Sequence, residues 1–149
     1  MIVWRLTAPE HAPGLDGEGA RLWGGRWNSP GMAVVYTASS LALALLETWV
    51  HLPPAMRRVG ALPPRVAVEI EVPDSVSVEV AATADWSDGG ALRRFGDEWA
   101  LSRRACALSV PSAVIPPERN LILNPSHPDM RLVQVRATTP FVFDPRMAG

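Results

Sequence analysis

Apolar side chains recur along this 149-residue chain with two different periods, and each period predicts a different kind of element. Short segments that alternate apolar and polar residues, or that are apolar throughout and rich in β-branched residues, predict strands. These strands are expected over Ile2–Thr7, 33–38, 65–72, 76–80 and 105–110, with one long or two short strands over 131–143.

Two segments predict helices. The first spans Leu41–His51, with Ser39 or Ser40 as a suitable N-cap and with Pro53 to end it. The second covers 89–104, where the apolar residues give an incomplete 3.6-residue period that a glycine interrupts.

Three segments show no apolar period. Residues 9–31 contain six glycines and predict a long loop, which in a compact domain is usually functional. Residues 52–64 form a proline-rich connection, and residues 111–130 are dense in proline and asparagine. Strands before, between and after only two helices favour an α+β fold over a doubly wound α/β fold. No repeat or linker divides residues 1–149, so we expect a single domain.

Composition narrows the function classes. The 48% hydrophobic content suffices for one core, and 14 basic against 15 acidic side chains leave a net charge of -1, which gives no general attraction to nucleic acid or an acidic membrane. The single cysteine, Cys106, excludes an intrachain disulfide and is expected to be a small core residue, and the three histidines lack metal-ligand spacing. Without a leader-like start or an apolar run of about 18 residues, the expected location is the cytoplasm.

The stretch 24–47 carries the densest set of chemically useful residues. Its glycines fit neither the dinucleotide fingerprint nor the phosphate loop. Arg26, between two glycines and a tryptophan, has the planar fork that grips two pyrophosphate oxygens, although a solvated surface arginine is the plain alternative. Glu47 shares a helix face with apolar residues, so it should meet a cation, line a pocket, or reach water at the helix end. Tyr36 either borders a cleft or packs in the core.

Later polar residues are less informative from spacing alone. Ser112 in VPSA and the group Asn120, Asn124 and His127 lie in a proline-fixed segment. Turn capping accounts for them unless the fold brings them to a cleft.

Four motifs nevertheless occur in a recognisable order: GGRWNSPGMAVVYTASSLALALLE at 24–47, GDEW at 96–99, VPSA at 110–113 and NLILNPSHPD at 120–129. Together they resemble the RES-domain family, the toxin half of bacterial toxin–antitoxin pairs, over nearly the whole chain from Trp4 to about Asp129. The resemblance implies a fold similar to ADP-ribosyltransferase toxins, a split mixed β core with flanking helices, and an active site that acts on NAD.

The resemblance also assigns residues. The implied catalytic residues are Arg26, Tyr36, Glu47 and Ser112. The implied NAD-contacting residues are Arg5, Gly25, Arg26, Trp27, Asn28, Tyr36 and Asn124. In this assignment Glu47 stabilises the oxocarbenium-like ribose, while Arg26 and Arg5 fix the pyrophosphate. The ring of Tyr36 or a neighbouring tryptophan stacks on nicotinamide, and Ser112 either contacts the ligand or positions Glu47.

The implied function is a toxin that cleaves the nicotinamide–ribose bond of NAD by hydrolysis or phosphorolysis, depletes NAD and arrests growth. NAD is then a substrate, with inorganic phosphate as a candidate co-substrate, and no true cofactor or metal is expected. One alternative is transfer of ADP-ribose to a protein, and another is a non-catalytic module with a tryptophan-rich binding surface. The implied partner is a cognate helix-turn-helix antitoxin, without direct nucleic-acid or membrane binding, and the six tryptophans make a homodimer a further hypothesis.

Overall fold

A computed structural model describes residues 1–60, 62–81 and 87–148. Its strands are β1 (Ile2–Thr7), β2 (Val35–Ala38), β3 (Arg65–Glu71), β4 (Val78–Val80), β5 (Ala107–Pro111), β6 (Arg119–Leu123) and β7 (Gln134–Phe141). Its helices are α1 (Glu18–Trp23), α2 (Leu41–His51), α3 (Pro54–Val59) and α4 (Gly89–Ser102), with 3₁₀ turns at Pro9–His11, Pro128–Leu132 and Pro145–Met147. No helix in the described ranges has the length and apolar character needed to cross a membrane.

The seven strands form one mixed sheet in the order β4-β5-β6-β2-β1-β3-β7. Among the strands that the structure describes, the β4–β5 pair is parallel and the other neighbouring pairs are antiparallel. Strand β1 pairs with β3 along its whole length, but it meets β2 at the single pair Trp4↔Ala38. The sheet is therefore nearly split between β1 and β2, in agreement with the split mixed core that the family resemblance implied.

Both faces of the sheet are covered, and side chains that alternate along a strand enter different clusters. In β6, Leu121 and Leu123 join one buried cluster, whereas Ile122 joins the cluster that contains Leu92 and Trp99 of α4. A third, smaller cluster holds α2 against β1 through Leu43 and its neighbours. Helix α2 thus lies beside the split in the sheet.

The helix predicted over Leu41–His51 is confirmed at both ends. The Ser40 hydroxyl accepts a hydrogen bond from the Leu43 amide at 3.0 Å, and the chain turns out of the helix at Leu52, before Pro53. Helix α4 matches the second prediction within two residues. The Asp88 side chain caps its N-terminus by accepting a hydrogen bond from the Ala91 amide.

Three expectations were wrong. The predicted loop 9–31 contains α1, the connection 52–64 contains α3, and the segment 111–130 contains β6. Strand β6 lies between β5 and β2, and its pairing with β2 joins segments that are distant in the sequence, which local pattern does not reveal. Within 131–143 the structure has one strand, β7 (Gln134–Phe141), preceded by the 3₁₀ turn Pro128–Leu132.

Candidate active site

A cleft of about 770 Å³ opens where β1 and β2 meet. Trp4, Arg5 and Leu6 of β1 and the residues 36–38 of β2 line it, together with parts of α1, α2 and the loop that follows α1. The volume lies within the usual range for sites that bind small molecules. The split in the sheet is what provides the space.

Glu47 is half-buried at this cleft, on the face of α2 that turns toward the sheet. Its Oε1 accepts hydrogen bonds from Ser112 Oγ at 2.5 Å and from Asn120 Nδ2 at 2.8 Å. Ser112 Oγ in turn accepts bonds from the amides of Val114 and Ile115, at 3.1 and 3.0 Å. Those two accepted bonds direct the serine proton toward the carboxylate, so Glu47 is held in one orientation.

Tyr36 fixes the loop that carries Arg26 through two hydrogen bonds of its hydroxyl group. The tyrosine hydroxyl accepts a hydrogen bond from the Trp27 amide at 3.0 Å and donates one to Asn28 Oδ1 at 2.6 Å. A Cβ at Gly25 would lie 2.7 Å from this hydroxyl, so only glycine allows the loop to approach so closely. Burial raises the pKa of Tyr36 well above its ordinary value of 10.0, which keeps the hydroxyl protonated.

Helix α4 holds the same loop from the other side, through the GDEW motif. A Cβ at Gly96 would lie 1.7 Å from the carbonyl oxygen of Trp27, so helix and loop touch backbone to backbone. Asp97 Oδ1 accepts a hydrogen bond from the Ser29 amide at 2.9 Å, and Trp99 is fully buried beneath. This second motif therefore supports the loop and does not itself enter the cleft.

Charge in the cleft is strongly asymmetric. Among the described lining residues, the cations are Arg5, Arg26, Arg65 and Arg93, and the one carboxylate is Glu47. Burial lowers the pKa of the Arg5 guanidinium, whose Nη1 donates a hydrogen bond to the Gly14 carbonyl oxygen. An arginine nevertheless stays charged in proteins, so the cleft as a whole favours an anionic ligand although the chain has a net charge of -1.

The RES-domain family profile matches residues 2–144 of the sequence. The chain belongs to the RES-domain family. It is 45% identical to the Prs ADP-ribosylating toxin of Sphingobium sp. strain YBL2, over 97% of this chain and 94% of that protein. It is 34% identical to Toxin Res of Yersinia enterocolitica, over 99% of both chains. The resemblance noted from the four motifs is thereby confirmed.

The fold of this RES domain is similar to a solved one. The structure is the crystal structure of the M. tuberculosis MbcT-MbcA toxin-antitoxin complex, matched with a TM-score of 0.71 and 20% identity over 99% of this chain and 86% of that one. This likeness confirms the predicted α+β architecture, a mixed seven-stranded sheet with flanking helices.

Most of the predicted site residues of this RES domain converge. Those that line the cleft are Arg5, Gly25, Arg26, Trp27, Tyr36 and Glu47. Ser112 is 2% exposed and reaches the cleft only through its hydrogen bond to Glu47, so of the two roles expected for it the geometry shows the positioning one.

Two predicted ligand contacts do not lie at the cleft. Asn28 is fully buried, and its Nδ2 donates to the carbonyl oxygens of Ala20 and Met32, both at 2.9 Å. Asn124 is 1% exposed, and its Nδ2 donates to the Ala100 carbonyl oxygen at 2.9 Å. Both amides satisfy buried backbone groups, so their prediction as NAD-contacting residues is corrected to a structural role.

Sequence reasoning also missed residues of the RES-domain cleft. Asn120 was assigned to turn capping, and Arg65 and Arg93 were not singled out. A strand assignment over 119–123 would have placed Asn120 on the opposite face from Leu121, because side chains alternate along a strand. No local signal distinguished the two arginines from others on the surface.

Proposed function

We propose that this RES-domain protein binds NAD in the cleft and breaks its nicotinamide–ribose bond. The observation that carries the proposal is the carboxylate of Glu47, held by two neutral donors within a cleft whose other charged lining residues, among those that the structure describes, are arginines. A dinucleotide matches both kinds of charge in this cleft. Its pyrophosphate is an anion that the arginines can bind, and its ribose becomes cationic as the bond breaks and can be stabilised by the carboxylate.

The chemistry needs few protein groups. In NAD the nicotinamide ring is a cationic pyridinium, and it departs as a neutral base. No general acid therefore has to protonate the leaving group, in contrast to ordinary glycoside cleavage, which uses two carboxylates. The Glu47 carboxylate stabilises the oxocarbenium-like ribose and orients a ribose hydroxyl or the incoming nucleophile. Arg26 and Arg5 bind the pyrophosphate, and the ring of Tyr36 offers a stacking surface for nicotinamide, whereas Trp27 is 2% exposed and packs against Phe95.

The acceptor of ADP-ribose defines two candidate functions. In the first, water or inorganic phosphate attacks the ribose, and the protein depletes NAD. In the second, a protein side chain attacks, and the target becomes ADP-ribosylated. The second is favoured by the 45% identity to a protein named Prs ADP-ribosylating toxin. Both use the same NAD-binding residues of the cleft.

We further propose that the protein is the toxin of a toxin–antitoxin pair. The support is the naming of its homologues as toxins and the likeness of its fold to a chain in a toxin–antitoxin complex. The proposed partner is a helix-turn-helix antitoxin that covers the cleft. Trp23, 81% exposed at the end of the helix that borders the cleft, is a candidate contact for it.

The test is nicotinamide release from NAD by the purified protein, with no addition, with phosphate, and with a cell lysate and labelled NAD. Glu47→Gln keeps the shape of the side chain and removes its charge, so release should fall by about 10²–10³-fold. Phosphate-dependent release identifies phosphorolysis, and label on protein identifies ADP-ribosylation. No release by the wild type in any condition, or equal release by Glu47→Gln, would contradict the proposal and favour a non-catalytic binding module.

A second experiment addresses the partner. Expression of the wild type, but not of Glu47→Gln, should arrest growth, and co-expression of the product of the neighbouring gene should relieve the arrest. Arrest that persists with every neighbouring gene product would contradict the proposed pairing.

A further inference from the structure

Both hydrogen bonds that Glu47 receives fall on the same carboxylate oxygen. Ser112 Oγ and Asn120 Nδ2 donate to Oε1, and no hydrogen bond from the described residues reaches Oε2. One oxygen of the carboxylate is therefore occupied by the protein, and the other is left for the substrate.

The orientation of the Asn120 amide is set by this contact. An ionised carboxylate only accepts hydrogen bonds, so the NH₂ group of Asn120 must face Glu47, since the opposite orientation would place two acceptors together. The other end of the amide, Oδ1, is buried without a hydrogen-bond partner among the described residues. A buried acceptor without a hydrogen-bond partner is destabilising, so this side chain is poorly suited to a purely structural role.

The backbone of Asn120 is rigidly placed. It lies in β6 and pairs with Ala38 of β2 on one side and with Val110 of β5 on the other. Ala38 is the residue through which β2 meets β1, so Asn120 lies beside the point where the sheet splits. A side chain on a central strand holds its direction more precisely than one on a loop.

We propose that Asn120 is a positioning residue, whose amide acts with the Ser112 hydroxyl to hold Oε1 of Glu47 so that Oε2 is presented to the ribose. This inference rests on the proposed function. Glutamate has three rotatable side-chain bonds, and an unheld carboxylate would spend much of its time in unproductive orientations. A misplacement of a reacting group by about 1 Å can lower activity by up to about 10²-fold.

The experiment compares Asn120→Leu and Asn120→Asp with the wild type in the nicotinamide-release assay. Asn120→Leu nearly preserves the shape of asparagine and removes the N–H donor. Asn120→Asp keeps the size of the side chain but sets a second carboxyl group against the Glu47 carboxylate, where two like charges repel. We expect kcat to fall by about 10–100-fold while KM for NAD changes only a few-fold, because Glu47 is misplaced but the arginines still bind the pyrophosphate. Asn120→Leu also removes the unsatisfied acceptor, so its melting temperature should stay near that of the wild type.

A matched control is Asn124→Ala, which removes an asparagine just beyond the end of the same strand. Its amide serves the Ala100 carbonyl oxygen, away from the cleft, so the variant should lose stability but keep its kcat at a temperature where it remains folded. A fall in kcat as large as that of Asn120→Leu would show that any buried asparagine in this region matters, and would overturn the inference.

A double-mutant cycle separates positioning from direct contact with the substrate. In a Glu47→Gln background, Asn120→Leu should lower the residual rate no further, because a residue that acts through Glu47 has nothing left to orient. An equal fold-loss in both backgrounds, a loss confined to KM, or wild-type kcat in both Asn120 variants would each overturn the inference and leave the proposed function standing. If the wild type releases no nicotinamide, both fail together.

Discussion

Tyr36→Phe tests whether the tyrosine acts through its hydroxyl or through its ring. The hydroxyl accepts from the Trp27 amide and donates to Asn28 Oδ1, so it joins the loop that carries Arg26 to strand β2. Phenylalanine keeps the ring and its stacking surface but removes both hydrogen bonds. The geometry predicts that the substitution is damaging, although the ring would still be present for nicotinamide.

The magnitude follows from the two lost bonds. Each leaves a largely buried polar group without this partner, at a cost of about 1–2 kcal/mol, so the variant should lose roughly 2–4 kcal/mol of unfolding free energy. For a chain of this length each kcal/mol shifts the melting temperature by about 2–4 °C, which predicts a decrease of about 4–16 °C. Displacement of the Arg26 loop by about 1 Å should also lower kcat/KM by on the order of 10²-fold.

The assays are a thermal melt and the nicotinamide-release rate over a range of NAD concentrations. If Tyr36 contributes only by stacking, Tyr36→Phe will match the wild type in both, and the reasoning from the hydroxyl is refuted. Tyr36→Leu, which lacks both ring and hydroxyl, measures the additional contribution of the ring.

Four further predictions follow from the same contacts. Arg26→Lys should raise KM for NAD about 10-fold with a smaller change in kcat, since lysine cannot grip two pyrophosphate oxygens as a planar fork does; an unchanged KM would exclude a pyrophosphate role. Gly96→Ala should destabilise the fold by roughly 1–3 kcal/mol or more, because its Cβ would lie 1.7 Å from a loop carbonyl oxygen, whereas a Cβ at Gly89 in the same helix would meet only the end of the Arg93 side chain, at 3.5 Å, so Gly89→Ala should be tolerated in the same thermal melts. Tyr36 is the only tyrosine in the sequence, so tyrosinate absorbance reports its ionisation alone. Because burial raises the pKa of Tyr36 above 10.0, the stability that its proton contributes should be complete below about pH 10 and should be lost as the pH rises further. This loss should be absent in Tyr36→Phe. Cys106 is fully buried and burial raises its pKa to about 11, so a thiol reagent at neutral pH should label it only after denaturation, and rapid labelling of the native protein would contradict this burial.

Local sequence signals were sufficient to predict an element where capping or helix-breaking residues mark its two ends. Helix α2 has a serine cap before it and a proline soon after it, and both of its predicted ends agree with the structure. Strand β1 was equally well predicted from a short run of β-branched and aromatic residues. The boundaries of these two elements are determined by residues that lie next to them in the sequence.

The missed elements lack such signals. Helices α1 and α3 have only six residues each, too few to be stable alone, and their glycine- and proline-rich surroundings resemble loops. Strand β6 follows a proline-rich turn and has only three consecutive apolar residues. Strand β6, for example, is stabilised in part by its pairing with β2, a segment distant in the sequence.

The sequence by itself determined the chemistry available to this protein: one tyrosine, a glycine-flanked arginine and a helical glutamate arranged over 24–47, in motifs that place the chain in the RES-domain family. Only the tertiary structure decided which polar residues reach Glu47. Ser112 and Asn120 are 65 and 73 positions away from it, and they meet its carboxylate because β6 pairs with β2 beside the split in the sheet. Asn124, four residues beyond Asn120, faces a buried carbonyl group instead. Residue type is a local property, but a hydrogen bond at 2.8 Å depends on strand order and register, which arise only when distant segments pack together.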